Sequence, residues 1–295
     1  LQNIFTVTKI VALIGMVLLG FWFGFSGMGD FSHFTPAFPD IITLTTLGVF
    51  GAAMTGSLFS ADAWNNITYT AGEIENPQRN LPLSLILGTG TVLIIYIFAN
   101  ISYLYILPID SIKTADNDRV ATLMMSTILG DKGKIIMALM IMVSTFGCLN
   151  GIILTAARAY YAMAKDGFFF KKAAVLNKNG VPANALVMQC VWACLLTLSG
   201  SYGQLLDYIM FAVLIFYCLT VAGVIILRRN QPNMERPYKV WAYPYLPIIY
   251  IVLAALVCVN IIWFKTEYSI RGLLVILIGI PIFYYFKKSN SYKNI

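Results

Sequence analysis

The residues with the most to offer chemically are Asp62, Asn65 and Asn66. They sit in Gly56-Ser57-Leu58-Phe59-Ser60-Ala61-Asp62-Ala63-Trp64-Asn65-Asn66, which ends an apolar run starting near Ile41. A carboxylate near the bilayer centre costs roughly 3 kcal/mol on insertion scales, so such a group has a task or a partner. Two compatible readings present themselves for Asp62: a cap on the first amides of the segment beginning at Ala63, or a contact with a bound solute. The run from 44 to 59 is only sixteen residues long, whereas an unbroken helix needs about 20 to cross a hydrocarbon core of about 30 Å. Irregular backbone at that depth survives only where it lines an enclosed cavity, because lipid cannot satisfy freed N–H and C=O groups. The chemistry implied is solute binding at a helix break.

Lys9 is the second charged candidate. So near the start of an apolar run, it reads as a cytoplasmic anchor whose ammonium snorkels to the headgroups. Bond-making chemistry finds less support. The cysteines at 148, 190, 194, 218 and 258 all fall in apolar runs and read as small buried hydrophobes. Cys190 and Cys194 lie one helical turn apart, and a disulfide or zinc site needs more than that spacing. His33, the single histidine, has no Cys or His neighbour. A membrane enzyme would need a convergent nucleophile, base or metal set, so neither an enzyme nor a metal or other cofactor is expected. Asn66-Ile67-Thr68 and Asn100-Ile101-Ser102 match the glycosylation pattern, but they fall at the inner end of the broken segment and in a span, and read as chance matches.

The elements that must position these residues are membrane helices. Hydrophobic residues make up 59% of the chain and charged ones 11%, and the mean hydropathy is +0.77, which together mark an all-α integral membrane protein. Runs at 5–25, 83–107, 135–163, 184–198, 205–227, 243–264 and 273–286 can span, and with the discontinuous segment near 44–72 they predict about eight transmembrane helices. Basic residues recur after every second segment: Arg79; Lys165, Lys171, Lys172 and Lys178; Arg228, Arg229, Arg236 and Lys239; Lys287, Lys288 and Lys293. Those loops, and the C-terminus, should face the cytoplasm. In the alternate loops, including 108–134, the charges roughly cancel. The net charge of +7 is thus a signal of topology, and it calls for no nucleic acid partner. The expected location is the cell membrane, plasma or inner, with the lipid bilayer as partner.

The stretch Leu58 to Asn66, followed by Gly72-Glu73-Ile74-Glu75-Asn76-Pro77-Gln78-Arg79-Asn80-Leu81-Pro82, resembles the sixth helix and following loop of amino acid permeases. These belong to the amino acid, polyamine and organocation transporter superfamily, and the likeness is nearest to its L-type branch and prokaryotic relatives. Phe146-Gly147-Cys148-Leu149-Asn150-Gly151, Arg158 and Tyr161 to Gly167 resemble the eighth helix, and Phe5-Thr6-Val7-Thr8-Lys9-Ile10 the start of the fifth.

The resemblance implies a leucine-transporter-like inverted-repeat fold, present here as helices five to twelve of one transmembrane domain over 1–295. The second inverted repeat would occupy about 41–229 and two extra helices about 240–288. Helices one to four are then absent, and a chain that opens at Leu1 without methionine reads as a piece of something longer. Substrate in such folds sits where the broken first and sixth helices meet. By resemblance, carbonyls near Phe59, Ser60 and Asp62 receive the amine of an amino acid, Phe59 closes over it, and Trp64 and Asn65 line the cytoplasmic side. From composition alone, Phe59 and Trp64 are ordinary packing residues.

Lys9 matches the position at which sodium-independent members place a lysine where sodium-coupled relatives hold an ion. There it would link the first helix to the eighth, with Ser144 as partner, and could exchange a proton. Arg158 and Lys165-Asp166 read as anchors at the inner end of their helix. The implied function is secondary transport of amino acids by alternating access, coupled to a counter-substrate or to protons. The alternative is a truncated, non-transporting membrane subunit.

Overall fold

The computed structural model describes residues 2–36, 41, 43–198, 202–236 and 238–291. Among them the regular structure is helix and there is no strand. The α-helices are α1 (Gln2–Phe23), α2 (Leu44–Ser60), α3 (Pro77–Ile106), α4 (Ile109–Lys113), α5 (Val120–Lys165), α6 (Ala183–Thr197), α7 (Tyr202–Asn230), α8 (Tyr245–Phe264) and α9 (Thr266–Ser291). Seven helical stretches among the described residues are long and apolar enough to cross a membrane; α6, the eighth expected span, is a shorter apolar helix. No more than 22% of any span's apolar window is buried within the chain. Large side chains such as Leu18, Trp22, Ile94, Leu256 and Trp263 therefore face outward, an arrangement that suits lipid and not water.

The chain folds as two compact units. The first comprises 1–41 and 83–155. Its core joins Met16 and Val17 of α1 to Ala99 and Ile106 of α3 and to Met124, Met125, Ile128 and Met137 of α5. Methionine fills irregular gaps between helices well because its thioether is unbranched and polarisable. Phe5 packs directly on Gly147, where an added Cβ would lie 2.5 Å from the Phe5 Cβ, while Gly20 lies against Met124. At the end of α3, His33 Nδ1 lies 3.1 Å from the Leu104 carbonyl and the Asp30 N–H donates to that of Tyr105 at 2.9 Å. Two of the carbonyls that any helix end leaves without partners are thereby satisfied, and His33 has a structural task.

One expected loop is not a loop. Residues 120–129, read above as part of an outer connection, form a helical arm that puts Met124, Met125 and Ile128 into the core. The arm continues into 131–165 through a kink at Gly130, with φ 61° and ψ −146°.

The second unit comprises 42–82 and 156–295. Thr43 starts α2 with a reciprocal cap: its Oγ1 accepts from the Thr46 N–H at 3.1 Å, and Thr46 Oγ1 accepts from the Thr43 N–H, two otherwise orphaned donors. Pro77 opens α3 at the helical position where a missing N–H costs least. Against α2, α8 lays Asn260 and Phe264 over Gly51 and Gly48, and Asn260 Nδ2 donates to the Gly48 carbonyl at 3.0 Å. Phe211, Leu214, Ala254, Cys258 and Ile261 form the adjoining core, with Leu58 of α2 packed on it. Among the cysteines, only Cys258 is buried; Cys148, Cys190 and Cys194 are exposed and Cys218 is intermediate. The expectation of uniformly buried thiols is thus corrected: a small apolar residue in a membrane helix can face lipid as cheaply as protein.

Candidate functional site

The helix α2 ends at Ser60, and the chain passes through Ala61, Asp62 and Ala63 before resuming as a 3-10 segment, Trp64–Glu73. The break is carried by Ala63, in the left-handed region at φ 66°, a conformation costing an L-residue about 1–2 kcal/mol. Local polar groups make the alternative to helix workable. Ser60 Oγ donates to the Ser57 carbonyl at 2.9 Å, and the Ala61 N–H reaches the same carbonyl at 3.2 Å. The Asp62 N–H donates to the Phe59 carbonyl at 3.1 Å, and Thr68 Oγ1 to that of Asn65 at 2.7 Å. Side chains that satisfy backbone groups outside the helical pattern compete with continuation of the helix.

A tyrosine from another helix holds the break. The Tyr217 hydroxyl, on α7, donates to Asp62 Oδ1 at 2.6 Å and lies 3.2 Å from Asn65 Oδ1. A phenol has one proton to give, and the shorter contact to the carboxylate takes it as a charge-assisted bond. A half-turn of the Asn65 amide, whose O and N are interchangeable by shape, puts its NH2 on the phenol oxygen. The Trp64 ring lies beside that of Tyr217, centroids 5.9 Å apart. Asp62, Trp64 and Asn65 thus converge on one side chain, with Phe59 and Ser60 ending the helix just before them.

The capping role considered for Asp62 is corrected by this geometry. The 3-10 segment begins after Ala63 with no side-chain cap, because the carboxylate is turned to Tyr217. Of the carbonyls expected near an amine, that of Phe59 accepts the Asp62 N–H, and that of Asp62 receives no hydrogen bond among the described residues. Sequence reasoning does not single out Tyr217, one of 17 tyrosines. The available signal was its polar end in the middle of an apolar helix, where a hydroxyl needs a partner.

Lys9 and Ser144 belong to the first unit, and both are half-buried. The Phe5 and Phe146 rings meet at 5.4 Å, four positions before Lys9 in α1 and two positions after Ser144 in α5. No hydrogen bond joins the two. Lys165 Nζ lies 5.2 Å over the Tyr161 ring, at the end of α5. Among the described residues, no group of three His, Cys, Asp or Glu side chains could hold a metal ion.

A family model described as amino acid permease matches residues 1–283. The chain belongs to the amino acid permease family. With seven stretches able to cross a membrane, this permease is a multi-pass, all-α membrane protein. It is 28% identical over 291 residues to the large neutral amino acids transporter small subunit 2 of Homo sapiens, a match covering 96% of this chain and 52% of the relative. Against the b(0,+)-type amino acid transporter 1 of Rattus norvegicus it is 31% identical over 291 residues, covering 96% and 57%. Against the serine/threonine exchanger SteT of Bacillus subtilis (strain 168) it is 30% identical over 293 residues, covering 98% and 65%. The chain spans about half the length of the first of these relatives.

Proposed function

We propose that this chain carries one half of the substrate site of a secondary amino acid transporter, at the break between Ser60 and Trp64. The observation that supports it most is the Asp62 carboxylate held by Tyr217 across an interrupted membrane helix. The C-terminal end of α2 is the negative end of a helix dipole. With the unoccupied carbonyl of Asp62, it offers an ammonium group a favourable position. Oδ1 is engaged by Tyr217, and Oδ2, without a hydrogen-bond partner among the described residues, remains for the ligand. Phe59 closes over the substrate, and Trp64 with Asn65 borders the cytoplasmic side.

The amino acid carboxylate needs a positive cradle, and in this reading it comes from the N-terminal end of a half-helix outside these 295 residues. Transport then proceeds by alternating access, the second inverted repeat occupying about 41–229. Lys9 takes the place of a coupling ion beside Ser144, and the counter-ligand is a second amino acid or a proton. The basic loops, and with them the C-terminus, face the cytoplasm.

The test is uptake of labelled amino acids into proteoliposomes by the longest reading frame that contains this chain, with and without a sodium or pH gradient. Uptake driven by internal amino acid supports exchange, and uptake driven by a pH gradient supports proton coupling. Lys9→Ala should abolish or uncouple it, and unchanged uptake removes Lys9 from the coupling. A folded protein that moves no amino acid overturns the transport reading in favour of a non-transporting membrane subunit.

A further inference from the structure

The cytoplasmic-side connection between α7 and α8 is more than a topological signal. Arg228 and Arg229 end α7, and the following loop carries Arg236 and Lys239 back beside them. The macrodipole at a helix C-terminus accounts for the first two. It does not account for the loop cations or for the way the group is built. The Arg228 guanidinium lies 3.8 Å from the centroid of the Tyr243 ring, so its plane is set by stacking while its N–H fork stays available. Arg236 donates Nη1 to the Pro232 and Met234 carbonyls at 2.9 and 2.8 Å, and Nη2 to that of Gln231 at 2.6 Å. It folds the loop around its own charge, and among the described residues no carboxylate forms an ion pair with it.

Among the described residues, none of Arg228, Arg229, Arg236 and Lys239 takes part in an ion pair. They line an open groove of about 800 Å³, a volume within the range of ligand sites. Beside it, Trp241 and Tyr245 are exposed, the residue types that settle at the headgroup level of a bilayer.

We propose that this groove binds a phosphate group presented by an anionic lipid of the facing leaflet. Four cations without an ion-pair partner among the described residues, around one open groove, match a phosphate-bearing headgroup in charge, and the free fork of Arg228 with the head groups of Arg229 and Lys239 supplies its hydrogen-bond donors. The assignment of the leaflet rests on the orientation proposed above. The test is independent of transport, so the two can fail separately.

The full chain in detergent micelles is titrated with phosphatidylglycerol, with phosphatidylcholine, or with inorganic phosphate, and the thermal unfolding midpoint is followed, because a ligand of the folded state raises it. Phosphatidylglycerol should raise it at lower concentration than phosphatidylcholine. Arg229→Gln/Lys239→Gln leaves the Tyr243 stack and the Arg236 clamp intact. It should need about 25-fold more phosphatidylglycerol, at about fivefold per charge. Lys287→Gln/Lys288→Gln removes as much charge elsewhere and should leave the titration near that of the parent. Equal losses in the two variants, or no preference for phosphatidylglycerol, would overturn the proposal. If inorganic phosphate alone reproduces the rise with the same dependence on Arg229 and Lys239, the phosphate chemistry stands and the lipid is overturned as its source.

Discussion

Two membrane helices of this chain are broken, and they are broken by different means. In α5 the interruption falls on Gly130, at φ 61° and ψ −146°, a conformation open to glycine and almost no other residue. An added Cβ there would meet nothing within 4 Å. The break redirects the chain between the arm 120–129 and the long span; the freedom of Gly130 permits the turn, and Gly133, where an added Cβ would lie 2.0 Å from the Met125 carbonyl oxygen, lets the arm pack close. In α2 the interruption falls on Ala63, which has no such freedom, and Tyr217 reaches across from α7 to hold Asp62 and Asn65. A turn that glycine makes cheaply serves the path of the chain. A turn that an ordinary residue makes under strain, held by a half-buried polar clamp, is what a binding site requires.

Substitutions can break or sharpen that contrast. The largest effect is expected from Asp62→Ala, which should lower kcat/KM for uptake by at least about a hundredfold, or 2.7 kcal/mol at 1.36 kcal/mol per tenfold. Its unfolding midpoint should move little, because relief of a membrane-embedded charge offsets the lost hydrogen bond; a collapse of stability with it would make Asp62 structural. Tyr217→Phe keeps the ring beside Trp64 but removes the donor to a carboxylate, a bond worth about 1.5–3 kcal/mol. It should show as a raised KM and a lowered midpoint, and an unchanged KM would detach the clamp from the site. Gly130→Ala should cost about 1–3 kcal/mol of stability from backbone strain alone and leave KM as it was. If its KM rises as much as that of Tyr217→Phe, the two breaks do not differ in kind. Smallest is Ala63→Gly, which should raise the unfolding free energy by about 1 kcal/mol as the left-handed position is relieved, read by thermal denaturation.

Much of the fold was legible. The spans read from hydropathy at 83–107, 184–198, 205–227 and 243–264 match α3, α6, α7 and α8 within a few residues at most ends, because a bilayer imposes both length and composition on whatever crosses it. The break in α2 was legible for the same reason, as an apolar run too short for the hydrocarbon core. The arm 120–129 was not, because Asp131, Lys132 and the acidic residues before it mask a short apolar pattern whose Met124 and Ile128 stand four apart, on one helical face. The exposed cysteines escaped notice because composition does not say which side of a membrane helix meets the rest of the chain.

At the site, the sequence by itself determined that a carboxylate and an amide stand where an apolar run fails, and that something must satisfy them there. Only the tertiary structure decided what does. A local cap and a cross-helix clamp are equally consistent with Asp62 in the sequence, since both rest on one carboxylate and differ only in the donor. The donor, the Tyr217 hydroxyl, lies 155 positions away along the chain, and the packing of α7 against α2 brings it within 2.6 Å. Separation of that order leaves no periodicity to read, because the bond depends on how helices pack and not on how residues follow one another.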